Sequence, residues 1–271
     1  MNKGMKTLLI IAALVVLVVG GYKWRYPTYA WHQKLTIEVD TLHGVVTGSS
    51  VVGVNVQYQM TFGFRDAASV RNRWEGEAAI VELPGKRYLF ALLGHPVSLV
   101  QNSYKSVILG SPDARFTDMK AYYSKLTRMR QFVSISSKYY PLLVTFTDIN
   151  DPKTVKRVDP NDLDAVFGCD NGQFSAAQPK TQSKGEARST PAQPSTASTG
   201  VSANKSCYSL KSITLEITDE PVTKGVVESV LGWLEDPKVM ENPGWRALPI
   251  ESRRIIGGLL SYFPNLKGAK K

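Results

Sequence analysis

Cysteine and histidine are scarce in this chain of 271 residues, which has two of the first and three of the second. His32, His43 and His95 are not spaced as a metal pair, and Cys169 and Cys207 alone cannot close a tetrahedral shell, so no metal centre is expected. No cysteine follows the first apolar run in a lipobox, which excludes lipoprotein anchoring. The chain also lacks a nucleophile elbow. GSSVVG at 48–53 is not G-x-S-x-G and falls inside an alternating strand pattern. The S-x-x-K match at Ser202–Lys205 lies in a segment too polar to build a rigid oxyanion hole.

Asp148, Asp151, Asp159, Asp162, Asp164 and Asp170 cluster, but without the alternate-position spacing and terminal Glu of a calcium loop. Their Asp-Pro and Asn-Asp neighbours fit turns and caps. No internal repeat and no nucleic-acid-binding module is present. The sequence therefore assigns no catalytic residue, no metal and no cofactor, and nucleic acid is not expected as a partner.

What is present is an ordinary globular composition, 43% hydrophobic and 21% charged, behind an unusual first segment. Residues 1–6 form a basic n-region with Lys3 and Lys6, and Thr7 to Gly21 carry no charge. Those fifteen residues span about 22 Å as a helix, short of a hydrocarbon core of about 30 Å unless the flanks extend it. Tyr22, Lys23, Trp24 and Arg25 supply such a flank, with rings at the interface and cations snorkelling to the headgroups. Residues 7–22 read as a transmembrane anchor or uncleaved signal. The competing reading is a signal peptide cleaved after Gly20, with Val18 at the −3 position.

Flanking charge barely chooses an orientation, because Lys23, Arg25 and Lys34 balance Lys3 and Lys6. The cysteines decide it. Between Cys169 and Cys207 the chain from Ala176 to Ser206 is Ser/Thr/Pro/Ala/Gln-rich, with Val201 its only β-branched aliphatic residue. Such a stretch cannot offset its ordering entropy, so residues 169–207 read as a disordered insertion. A Cys169–Cys207 disulfide at its two ends would close a loop of roughly forty residues, worth about 4 kcal/mol in the chain-entropy model. It would place the domain in an oxidising compartment. The expected topology is a single-pass protein of the bacterial inner membrane, with its domain on the periplasmic side.

After a stem at 23–33, residues 34–168 and 208–249 read as one β-rich globular domain, and 250–271 as a terminal helix and basic tail. Residues 34–40 and 45–60 alternate strictly and form a hairpin, with a bend expected at Gly48–Ser50. A second hairpin spans 77–83 and 87–93 around Pro84-Gly85-Lys86. The β pattern continues through 97–109. A helix period runs from Phe116 to Met129, a strand covers 142–146, and Asp159 with Pro160 starts a short helix. Residues 210–218 alternate again, a short helix follows near 223–231, and a last one covers 250–263. The fold class is α+β: mainly antiparallel sheet with a few inserted helices, preceded by one transmembrane helix.

The segments WHQKLTIEVDTLHGVVTGSSVV, LPGKRYLFALL, NDPKTVKRVDPNDLDAVFG and LKSITLEITDEPVTKG resemble a group of uncharacterised membrane-anchored proteins of proteobacteria. That group has no assigned activity, so the resemblance implies no catalytic residue. The net charge of +10 is diffuse and suits anionic lipid or an acidic envelope polymer as neighbour. The expected function is a tethered binding or scaffold domain without catalytic activity, with an envelope protein or anionic polymer as partner. The alternative is a hydrolase of an envelope polymer, whose only conceivable parts are His95, an aspartate such as Asp148 or Asp151, and a serine.

Overall fold

The computed structural model describes residues 3–60, 69–168, 206–240 and 244–259. It begins with helix α1 (Lys3–Arg25), which is long and apolar enough over Leu8–Arg25 to cross a membrane; an N-terminal signal sequence has the same profile. Among the described residues none of this span is buried, which is what all-round apolarity predicts of a helix that lies outside the core.

Strands β1 (Thr28–Thr41) and β2 (Gly44–Tyr58) form a long antiparallel hairpin around Leu42–His43, with Ile37 opposite Gly48. β1 is longer than the sequence pattern indicates, because it starts in the stem, whereas β2 matches the expected 45–60 to within two residues at either end. The expected bend at Gly48–Ser50 does not occur. Gly48 serves a close approach instead: a Cβ there would fall 1.9 Å from Ile80 O. The irregularity lies on the other side of β1, between Glu38 and Val39 against strand β9 (Tyr208–Thr218).

Strands β3 (Val70–Glu75) and β6 (Phe132–Ser134) complete a five-stranded antiparallel sheet in the order β3-β2-β1-β9-β6. Strands β4 (Ala79–Leu83), β5 (Arg87–Ala91), β7 (Leu143–Phe146) and β8 (Val155–Arg157) form a second sheet in that order. Its hairpin turns at Pro84–Lys86 as expected, with Gly85 at φ 81° and Lys86 at φ 55°.

Residues 97–109, expected as strand, are helix α2 (Pro96–Leu109). Pro96 at the first turn and Gly110 at φ 80° bound it, and Val97, Val100 and Tyr104 line its buried face at helical spacing. Helix α3 (Met119–Leu126) is shorter than expected. Asp118 stops it by accepting N–H groups of Lys120 and Ala121, while Phe116 and Met129 pack from the flanking loops. The short helix expected at Asp159 starts later, as α4 (Asp164–Phe167). Asp159 accepts from Asn161 N–H in a turn, and Asp162 accepts from Ala165 N–H.

Three layers result. Trp31, Leu35, Ile37, Val52 and Val54 of the first sheet pack against Val81, Leu83 and Leu89 of the second, with Tyr104, Tyr122 and Leu126 of α2 and α3. The far face of the second sheet, with Phe90, Val144 and Phe146, packs on Val227 of helix α5 (Val226–Val230), Trp233 of the 3₁₀ turn Gly232–Leu234, and Ile255 and Ile256 of helix α8 (Ile250–Ile256); the short helices α6 (Pro237–Met240) and α7 (Gly244–Ala247) lie between these in the chain. Residue 260 onward, the rest of the expected last helix, lies outside the described residues. So do 169–205, most of the expected insertion.

Candidate functional site

The core layer covers one face of the five-stranded sheet. The opposite face, near the end of α1, is open. Two rows of in-register residues define it: Ala30, Asn55 and Arg73, then Thr218, His32, Gly53 and Glu75. Side chains paired directly across antiparallel strands point to the same face. Small residues at Ala30 and Gly53 leave the floor low, and a groove of about 660 Å³ opens above it.

Beside the groove a strap, residues 219–225, leaves β9 and crosses over β1 to β2, and its Asp219 lines the groove. His32 Nδ1 donates to Glu220 O at 2.6 Å, and Lys34 Nζ meets Glu220 Oε1 at 2.8 Å. Thr223 N–H donates to Val51 O and its Oγ1 accepts from Val51 N–H. Val222 lies over Gly53, where a Cβ would come within 2.9 Å of Val222 Cγ2. Glycine at 53 thus lets the strap lie down on the sheet.

The polar groups of the groove divide into those already satisfied and those left open. Arg130 holds Asp219 through two bonds of 2.9 and 3.1 Å, and Lys224 holds Glu75 at 3.2 Å. Thr218 Oγ1 accepts from Glu220 N–H, and Thr127 Oγ1 donates to Ser124 O. His32 Nδ1 donates to Glu220 O, which leaves Nε2 as the open ring nitrogen, an acceptor in the neutral imidazole. Among the described residues Arg73 has no ion pair, and neither Arg73 nor Asn55 has a side-chain hydrogen bond.

The residues singled out in the sequence lie elsewhere. Tyr22, Lys23, Trp24 and Arg25 form the exposed last turn of α1, with Trp24 85% exposed. Only Tyr26 and Pro27 separate this turn from β1, and Lys120 Nζ donates to Arg25 O at 2.8 Å. Cys207 is buried, and Cys169 lies outside the described residues. His95 stands before α2, its ring 5.2 Å from that of Trp74 and its Nδ1 3.2 Å from Ser98 Oγ. Asp148 and Asp151 accept from Asn150 and Lys153 N–H in local turns, and among the described residues no hydrogen bond joins either to His95. The S-x-x-K match is outside the described residues. Among those described, no group of three or more His, Cys, Asp or Glu could hold a metal.

Sequence reasoning missed Asn55, Arg73, Gly53 and the strap. One signal was available: in V-N-V-Q-Y at 54–58 the alternate polar residues mark an outward face. The pairing with Arg73 was not visible, because β3 carries no alternating apolar pattern of its own. Comparison with protein families, with curated proteins and with solved structures finds no match to this chain.

Proposed function

We propose that this chain is a binding protein tethered to the bacterial inner membrane by α1, with its domain on the periplasmic side and the sheet groove as its ligand site. The observation that carries this reading is the division of the groove's polar groups. Arg73, Asn55 and His32 Nε2 are open for recognition, while its hydroxyls at Thr127 and Thr218 are held in local bonds. A rigid sheet floor with a few placed donors suits reversible binding.

The periplasmic placement rests on a Cys169–Cys207 disulfide. It is supported by the burial of Cys207 and by the absence of a free cysteine among the described residues. The partner fits an envelope component, as expected for the proteobacterial membrane-anchored group that the sequence resembles.

The test is photocrosslinking in intact cells from the full-length chain, with the crosslinker at Ala30 on the groove floor or at Thr47, exposed on the same face at the far end of the hairpin. One envelope component captured from position 30 and not from 47 is the expected result. Equal capture from both positions, or none from either, overturns the groove as the binding site.

A further inference from the structure

The charges of the groove do not cancel. Glu75 is held by Lys224 and Asp219 by Arg130, while Arg73 stands in the same face without a counter-charge among the described residues. Asn55 is its direct cross-strand partner. The two side chains start about 5 Å apart, so a guanidinium fork and an amide NH₂ can both reach one ligand group. That pair of donors matches an oxyanion with several acceptor oxygens.

The third open group is of opposite character. His32 lies two strands away, about 10 Å across the sheet. Its Nδ1 is used by the bond to Glu220 O, and the open Nε2 of the neutral ring takes a hydroxyl hydrogen. Ala30, exposed on the same floor between Asn55 and His32 in register, admits a small body without polar demands. A ligand filling this frame has an anionic group at one end and a hydroxyl at the other.

The position of the groove narrows the source. Ala30 is five residues beyond Arg25, the last residue of α1, and so within about 16 Å of the helix end at strand rise. Lys120 ties α3 to Arg25 O, which holds the domain down at that point. The polar layer of a bilayer is itself several ångströms deep, so the groove opens beside it.

Resting on the binding function proposed above, we infer that the groove recognises a phosphate-bearing, hydroxylated head group, glycerol phosphate in its chemistry, whether lipid-borne or free. Arg73 and Asn55 donate to the phosphate oxygens and His32 Nε2 accepts from a hydroxyl.

The test uses full-length protein in nanodiscs. Glycerol phosphate is titrated calorimetrically in phosphatidylcholine discs. In parallel, a crosslinker at Ala30 is irradiated in discs containing phosphatidylglycerol. Two variants accompany the titration: Arg73→Gln, and Ala30→Trp, which fills the exposed floor with a residue that strands accept well. Wild-type unfolding temperatures in both variants exclude a folding defect, and Arg73→Gln on an exposed site suffices alone if the Trp variant is unstable.

Saturable binding of glycerol phosphate, weakened at least tenfold by each variant, supports the inference with a free ligand. Absent soluble binding, phosphatidylglycerol crosslinked from position 30 and lost with Arg73→Gln supports it with a lipid ligand. No binding in either arm, or binding that both variants leave unchanged, overturns it. If position 30 then still captures another envelope component in cells, the groove remains a binding site and only the ligand class fails.

Discussion

The Asp164 carboxylate accepts the backbone N–H of Tyr208 at 2.7 Å, joining two points of the chain that residues 169–205 separate. The same carboxylate accepts from Cys207 N–H at 3.0 Å and from Ser206 Oγ at 2.7 Å. Arg87 adds a second clasp, donating to Phe167 O on one side and to Tyr208 Oη on the other. The frame around the intervening segment is thus closed by hydrogen bonds from both flanks.

Asp164→Ala should destabilise the domain by about 1–2 kcal/mol, discounted for the partial exposure of the carboxylate. Burial alone would raise its carboxyl, but the hydrogen bonds from Ser206, Tyr208 and Cys207 outweigh burial and hold it below the usual carboxylate range. A group with a lowered folded value stabilises above its unfolded value, and that contribution fades as pH falls through the folded one. Urea melts between pH 7 and pH 2.5 should show wild type and variant converging at the acid end.

Glu77 should show the opposite sign. It is buried, its carboxylate accepts Val226 and Val227 N–H at 3.0 Å each, and Glu228 is a neighbour. Burial raises its carboxyl above the ordinary value, the two N–H groups pull it down, and Glu228 raises it again, for a net upward shift. Its protonated form therefore contributes stability that is complete below the unfolded value and is lost as pH rises through the folded one. In Glu77→Gln, which keeps an acceptor for one N–H, that slope should vanish; an unchanged slope in denaturant melts from pH 4 to 8 would refute the assignment.

Gly48→Ala should be among the most damaging small substitutions in the chain. Its Cβ would sit 1.9 Å from Ile80 O and 2.9 Å from Val81 Cα, both backbone atoms that move only if the two sheets part. A loss of about 3 kcal/mol or more is expected, read as a fall in melting temperature. A loss under about 1 kcal/mol would mean that the sheets can part at little cost.

The placement of the chain has its own test. Mass spectrometry of membrane-extracted protein should find residues 1–25 intact, whereas a chain starting at Gly21 would show cleavage. In intact cells a membrane-impermeant maleimide should leave both cysteines unlabelled until reductant is added. Labelling without reductant would remove the disulfide and with it the argument for a periplasmic domain.

Much of the fold was legible wherever one face of an element was buried and the other was not. Leu35, Ile37 and Val39 alternate with Thr36, Glu38 and Asp40, and the structure buries the first set as β1. Helix α2 was misread because Val97, Val100 and Tyr104 on its buried face are β-branched or aromatic and suit a strand, and the decisive signals were punctuation, Pro96 and Gly110. The candidate site was not legible. Its rows draw on four strands from residue 30 to residue 218, so their adjacency is a property of register, which no single segment records. Gly48 read as part of a bend within a strand, and both it and Gly53 are places where another segment comes close.

The pairing of β1 with β9 also sets the order in which the molecule can assemble. The first strand of the domain lies between β2 and β9, with Leu35 opposite Leu215. The hairpin of β1 and β2 can form early, but β1 keeps one unpaired edge until residue 218 has emerged from the ribosome or translocon. Contacts of such long sequence separation slow folding. The polar segment at 169–205 lengthens the loop to be closed at little extra cost, since closure entropy grows only logarithmically with length. Until that late step the valine-rich hairpin is exposed to wrong partners, so the domain needs protection from misassembly until nearly its whole length is available.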